Sequence, residues 1–170
     1  MSKKWIHDHK GMSLVEIIIV IEIIGILAGS SIAMFNIIKS ANVKDTAATI
    51  DSQLDQLQMH TMSKSGNPFL YIYKLSDGYY TKVLNVNLAS FDSTQLNTDG
   101  KKVAGNDIEI YRRVTGTTDE LIDTSGNFIR IAYRKSMEFS SDTNTDSIVI
   151  DGKASYEISL MKETGKHIMK

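Results

Sequence analysis

The chain contains no cysteine, which excludes disulfides, thiolate metal sites and a cysteine nucleophile and leaves the redox compartment open. Only one proline, Pro68, stands in 170 residues. Charge of one sign is also lacking: 19 Lys and Arg face 20 Asp and Glu, a net charge of -1. That balance provides no electrostatic footprint for nucleic acid or an anionic membrane surface, so nucleic acid is not an expected partner. No Gly-x-Ser-x-Gly elbow, phosphate loop or Ser, His and Asp arrangement is legible. No pair of acids stands out as a glycosidase pair either. A non-enzymatic chain with no cofactor and no metal is the expectation. No internal repeat or low-complexity tract appears.

What is present is unevenly spread. The length suits one ordinary domain, and 42% hydrophobic with 23% charged residues is a globular composition. Yet Met12 to Ile38 is almost continuously Ile, Leu, Val, Ala and Gly, broken only by Glu16, Glu22, serines and Asn36. The run exceeds ~20 residues, the length of a membrane-spanning helix. Lys3, Lys4 and Lys10 precede it, which by the positive-inside rule keeps the N-terminus cytoplasmic. A secretory signal has an apolar core of about 7 to 15 residues and a small-residue cleavage site. This run is longer and no such site is evident. Each buried carboxylate costs on the order of 2.5 to 3.5 kcal/mol near a bilayer centre. Glu16 and Glu22 are therefore functional candidates that need partners.

The basic leader meets the apolar run at Lys10-Gly11-Met12-Ser13-Leu14-Val15-Glu16. Here the chain resembles the type IV prepilin family, strongly over residues 10 to 35. The resemblance implies cleavage by a prepilin peptidase between Gly11 and Met12, N-methylation of Met12, and a subunit-assembly role for Glu16. Glu16 would neutralise the new amino group of Met12 on a neighbouring subunit. Other implied partners are further pilin or pseudopilin subunits, an inner-membrane assembly platform and an assembly ATPase. There are two departures from the pattern. Glu22 stands where the family usually has a small or apolar residue, and Ala33 stands near a position where many major pilins have Pro. Six residues from Glu16, Glu22 lies about 120° away around a helix, so the two acids cannot serve one partner. Glu22 is read as a secondary assembly contact or as a tolerated protonated acid.

Beyond Ile38 the pattern changes. Val43, Ala47, Ile50, Leu54 and Leu57 recur at steps of four, three, four and three, one apolar stripe of a helix. Ser65-Gly66-Asn67-Pro68 punctuates its end. Short β-type runs follow at Phe69 to Leu75, Tyr79 to Leu88, Asp107 to Val114, Phe128 to Tyr133, Ser147 to Ile150 and Tyr156 to Met161, with turn clusters between them. The tail resembles the terminal hairpins of minor pseudopilin heads.

The expected fold class is α+β: a long N-terminal helix, membrane-spanning in its first half and amphipathic in its second, packed on a C-terminal antiparallel β-sheet head. The expected divisions are a leader at 1–11, an apolar transmembrane and filament-core helix at 12–38, its amphipathic half at 39–65 and an extracytoplasmic head at 66–170. The location that follows is a single pass in the inner membrane, then a surface pilus or pseudopilus. The expected function is a structural subunit, minor rather than bulk, of a type IV pilus, competence pilus or type II secretion pseudopilus. Its rivals are a pilus-tip or surface-anchored binding module, an adhesin or DNA receptor using the polar loops at Asn85 to Gly105, and an anchored enzyme. His7 and His9 fall in the leader, while His60 and His167 stand alone. Asp142, Asn144 and Asp146 have calcium-loop spacing, but Ser147 and Lys153 occupy the places that need Gly and a bidentate acid, so a solvated turn is expected.

Overall fold

The structure is a computed structural model. It describes residues 13–63 and 66–170, and within these all side chains except those at 30–33, 35 and 36. Helix α1 is assigned over Leu14–Ser63. The chain divides between Ile37 and Ile38 into two compact units, which are taken separately.

In the first unit, the large apolar side chains from Leu14 to Leu27 point in all directions and are each 44–74% exposed. The expected membrane-spanning half is corrected here. Among the described residues no helix is long and apolar enough to cross a membrane. Two carboxylates, Glu16 and Glu22, also interrupt the apolar run in that half. The single-pass location with an extracytoplasmic head loses its support with that span.

The second unit replaces the expected single sheet with two. Strands β1 (Phe69–Leu75), β2 (Gly78–Leu84), β3 (Lys101–Ala104) and β6 (Phe128–Ala132) form a sheet in the order β3-β2-β1-β6. Strands β4 (Glu109–Arg113), β5 (Glu120–Leu121), β7 (Ser147–Asp151), β8 (Ser155–Met161) and β9 (Lys166–Met169) form a second, ordered β5-β4-β7-β8-β9. All pairings are antiparallel. Short connections make this natural, since Leu75 pairs with Gly78 across a two-residue loop, Ser76-Asp77.

Both sheets close on the helix stripe. Val43, Ala47, Ile50, Leu54 and Leu57 are 0–1% exposed. They form one buried cluster with Leu70 and Ile72 of the first sheet and Ile110, Ile148, Ile150 and Ile158 of the second. A second cluster lies on the other face of the first sheet, where Phe69, Tyr71 and Tyr73 meet Leu88 and Leu96. Strand β1 is thus covered on both faces, which explains why its sequence, Phe-Leu-Tyr-Ile-Tyr, is continuously apolar and aromatic instead of alternating.

The cover over the outer face is the segment 85–100, and buried tyrosines pin it. The Tyr71 hydroxyl donates to Val86 C=O at 2.8 Å and accepts from Leu88 N–H at 2.8 Å, while Tyr73 donates to Asn97 C=O at 2.6 Å. Burial raises both phenols, Tyr73 to about 12, so both stay protonated as donors at neutral pH. Arg130 adds donors to Asn87 Oδ1 at 2.7 Å and Leu88 C=O at 2.6 Å. The polar loops at Asn85 to Gly105, offered as the ligand surface of the rival binding module, are thus tied to the sheet at several points.

Candidate functional site

Helix α1 starts at a reciprocal cap. The Ser13 hydroxyl accepts from Val15 N–H at 3.4 Å, and the Glu16 carboxylate accepts from Ser13 N–H at 2.8 Å. Ser13-x-x-Glu16 is a capping box, in which each side chain satisfies a backbone donor that the first turn leaves open. Glu16 therefore has a local structural role besides the assembly role that the resemblance implies. An acid in the first turn also suits the positive end of the helix dipole. Gly11 and Met12, the expected cleavage and methylation positions, lie outside the described residues. Glu22 is exposed, as are its apolar neighbours Ile21 and Ile23.

The remaining candidates separate. His7 and His9 lie outside the described residues. The Asp142, Asn144 and Asp146 side chains engage different partners. Asp142 accepts from Asn87 and Ser140, both at 3.1 Å. Asn144 accepts from Arg130 N–H at 2.8 Å and donates to Phe128 C=O at 3.1 Å. Asp146 accepts from Thr115 N–H at 2.6 Å and pairs with Lys162. Burial works to raise the Asp146 carboxyl, but the Lys162 and Thr115 donors outweigh it and hold the group below the ordinary carboxylate value. His60 lines an open cavity of about 490 Å³ with Gln53, Lys82, Asp99 and Lys101. His60 Nδ1 and Gln53 Oε1 are buried there without a hydrogen-bond partner among the described residues.

His167 does not stand alone, which corrects the sequence reading. Its Nε2 lies 3.5 Å from Asp51 Oδ1 and 3.3 Å from Asp55 Oδ1, and its Nδ1 lies 3.3 Å from the Tyr133 hydroxyl. One helical turn separates the two aspartates, so they share a face beside the buried stripe. The imidazole comes from β9, which pairs with β8 alone. Gly165 sets up that strand: its φ is +65°, and a Cβ there would stand 1.6 Å from Met137 C=O. The i,i+4 aspartates were a legible signal, but nothing in one sequence connects them to a histidine more than a hundred positions later.

No protein-family model, no curated protein and no solved structure matches this chain.

Proposed function

We propose that the chain is a structural subunit of a helical filament of the type IV pilus, competence pilus or type II pseudopilus kind, minor rather than bulk. A prepilin peptidase cuts it between Gly11 and Met12. The observation that carries this reading is the junction at residues 11–16. There a Gly-Met boundary leads directly into a capped helix whose large apolar side chains up to Leu27 are 44–74% exposed. A helix apolar all round needs neighbours on several sides. Like helices of further copies supply them, and burying what is exposed contributes on the order of 10 kcal/mol, at roughly half of ~1.5 to 3 kcal/mol per large side chain. In the filament Glu16 faces the new amino group of Met12 on a neighbouring subunit, since an ammonium is the natural partner of a buried carboxylate. Contacts of this head-to-tail kind propagate into a filament instead of closing.

The test separates the cap from the charge. The full chain, co-expressed with a prepilin peptidase, is expected to begin at N-methylated Met12 by mass spectrometry. Glu16→Gln keeps a capping box but removes the charge, so it is expected to leave helix content unchanged and abolish incorporation into filaments. Filaments of Glu16→Gln at wild-type level would reduce Glu16 to a cap. An uncut chain, or one cut beyond Ile38, would overturn the reading.

A second reading, a head that binds a ligand, is favoured by one feature. The cavity at the end of the helix stripe is lined by Gln53 and His60, whose Oε1 and Nδ1 are buried with no hydrogen-bond partner among the described residues.

A further inference from the structure

We infer that Asp51, Asp55 and His167 bind a divalent transition-metal ion of the zinc class, and that the ion ties the last strand of the head to the helix. The donor set is the first reason. One imidazole nitrogen and two carboxylate oxygens are ligands of zinc and its neighbours, whereas calcium and magnesium favour oxygen alone. The three ligand atoms all lie within 4.8 Å of one another.

Spacing is the second reason. A tetrahedron built on ~2.0 to 2.1 Å bonds has edges of about 3.3 to 3.4 Å. His167 Nε2 stands 3.5 Å and 3.3 Å from the two carboxylate oxygens, close to two such edges, and three protein ligands leave one position for water. The site is also directional. His167 is held at 9% side-chain exposure, whereas Asp51 and Asp55 are 32% and 62% exposed, so the imidazole forms the floor and the carboxylates the solvent-facing rim. An adjoining cavity of about 590 Å³, lined also by Gln58 and Met137, gives an ion access.

The outer contact is the third reason. A ligating histidine commonly donates its other ring N–H to a fixed acceptor, which sets the tautomer. Here the Tyr133 hydroxyl lies 3.3 Å from Nδ1, and Tyr133 is 2% exposed. An Nδ1–H donated to Tyr133 leaves the Nε2 lone pair facing the aspartates. Two like charges at i,i+4 disfavour the helix unless a cation stands between them. An ion there joins residues of α1 to β9, an edge strand of the second sheet. It would act as a clamp on that strand.

The experiment uses the full chain, dispersed in mild detergent, in a His7→Ala, His9→Ala background so that the N-terminal histidines cannot bind the ion. Zinc is titrated by calorimetry and thermal unfolding, with calcium in parallel. The expected result is one zinc per chain and a rise in Tm of roughly 5 to 10 °C at a hundredfold excess over Kd, with no rise from calcium. Asp55→Asn and His167→Ala are expected to weaken zinc binding more than tenfold. Tyr133→Phe should weaken it about tenfold while leaving the stoichiometry at one. X-ray absorption should show one imidazole among oxygen ligands. Asp55 lies on the rim, so its variant keeps the test sharp should His167→Ala fail to fold. No zinc binding, zinc binding of unchanged strength in Asp55→Asn, or a calcium response equal to that of zinc would each overturn the inference.

Discussion

Two stretches of one helical assignment meet the hydrophobic effect in opposite ways. Between Val43 and Leu57 apolar residues come every third or fourth position, and the five of the stripe are 0–1% exposed. Between Leu14 and Leu27 apolar residues come at nearly every position, and all the large ones are 44–74% exposed. The second stretch is the more hydrophobic and the less buried. A stripe can be closed by a single surface, which the two sheets provide within the same chain. A surface apolar all round cannot be closed that way and calls for partners around its whole circumference. Period, more than total hydrophobicity, decides whether burial is completed within one chain.

The largest expected effect tests that contrast directly. Leu54 is 0% exposed in the core, and Leu54→Ala is expected to lower unfolding free energy by about 2 to 5 kcal/mol, the transfer and cavity cost of such a truncation. Ile21 is 62% exposed, and Ile21→Ser is expected to change it by less than about 0.5 kcal/mol. Denaturant unfolding followed by near-UV circular dichroism, which reads the buried tyrosines, measures both. The assembly phenotype is expected to be reversed, with filaments lost in Ile21→Ser. Equal destabilisation by the two substitutions would break the comparison.

The same contrast bounds what could be read in advance. The stripe and the run Phe69 to Leu75 were legible because their period or composition is local. Division into two sheets was not legible, because it depends on which strands pair, and β4 pairs with β7 across more than thirty residues. Strand β3 was missed because Lys101-Lys102-Val103-Ala104 is a charged edge strand without an apolar signature. At Glu16 the local pattern Ser-x-x-Glu signals a cap, but the same acid lies next to the Gly-Met boundary, and sequence alone does not separate the two roles. His167 looks solitary in the sequence because its partners are brought to it only by the packing of β9 near the helix.

A smaller effect sharpens the idea that burial in the head is completed internally. Tyr71 is 0% exposed, and its hydroxyl is both donor and acceptor to the covering segment. Tyr71→Phe keeps the ring but leaves Val86 C=O and the buried Leu88 N–H without that partner, which is expected to cost about 1 to 3 kcal/mol. Hydrogen exchange should localise the loss, with faster exchange over 85–100 and little change in β7 and β8. Uniform loosening of the whole head would mean that the segment is part of the core and not a pinned cover.

The smallest effect lies at charged side chains of the second sheet. Arg113 donates to both Asp119 oxygens, at 2.8 and 2.7 Å, and to Glu157 at 2.8 Å. Asp119 is held below the ordinary carboxylate value by its Arg113 bonds, and Glu157 by a Ser147 bond first and Arg113 after it. A carboxyl whose folded value is depressed adds stability that is present above its unfolded value and lost as pH falls through the folded one. Wild-type Tm is therefore expected to fall steeply below about pH 4 to 4.5, the range of the unperturbed carboxyls. In Arg113→Ala that acid limb should be shallower, the change coming mainly through Asp119 because Glu157 keeps Ser147. Between pH 6 and 8 the two curves should run parallel. Ile21→Ser should reproduce the wild-type limb, since its residue belongs to the unit without this network. A flattened limb in Ile21→Ser would mean that the exposed stretch contributes to the stability of the head, and the contrast between the two stretches would fail at its premise.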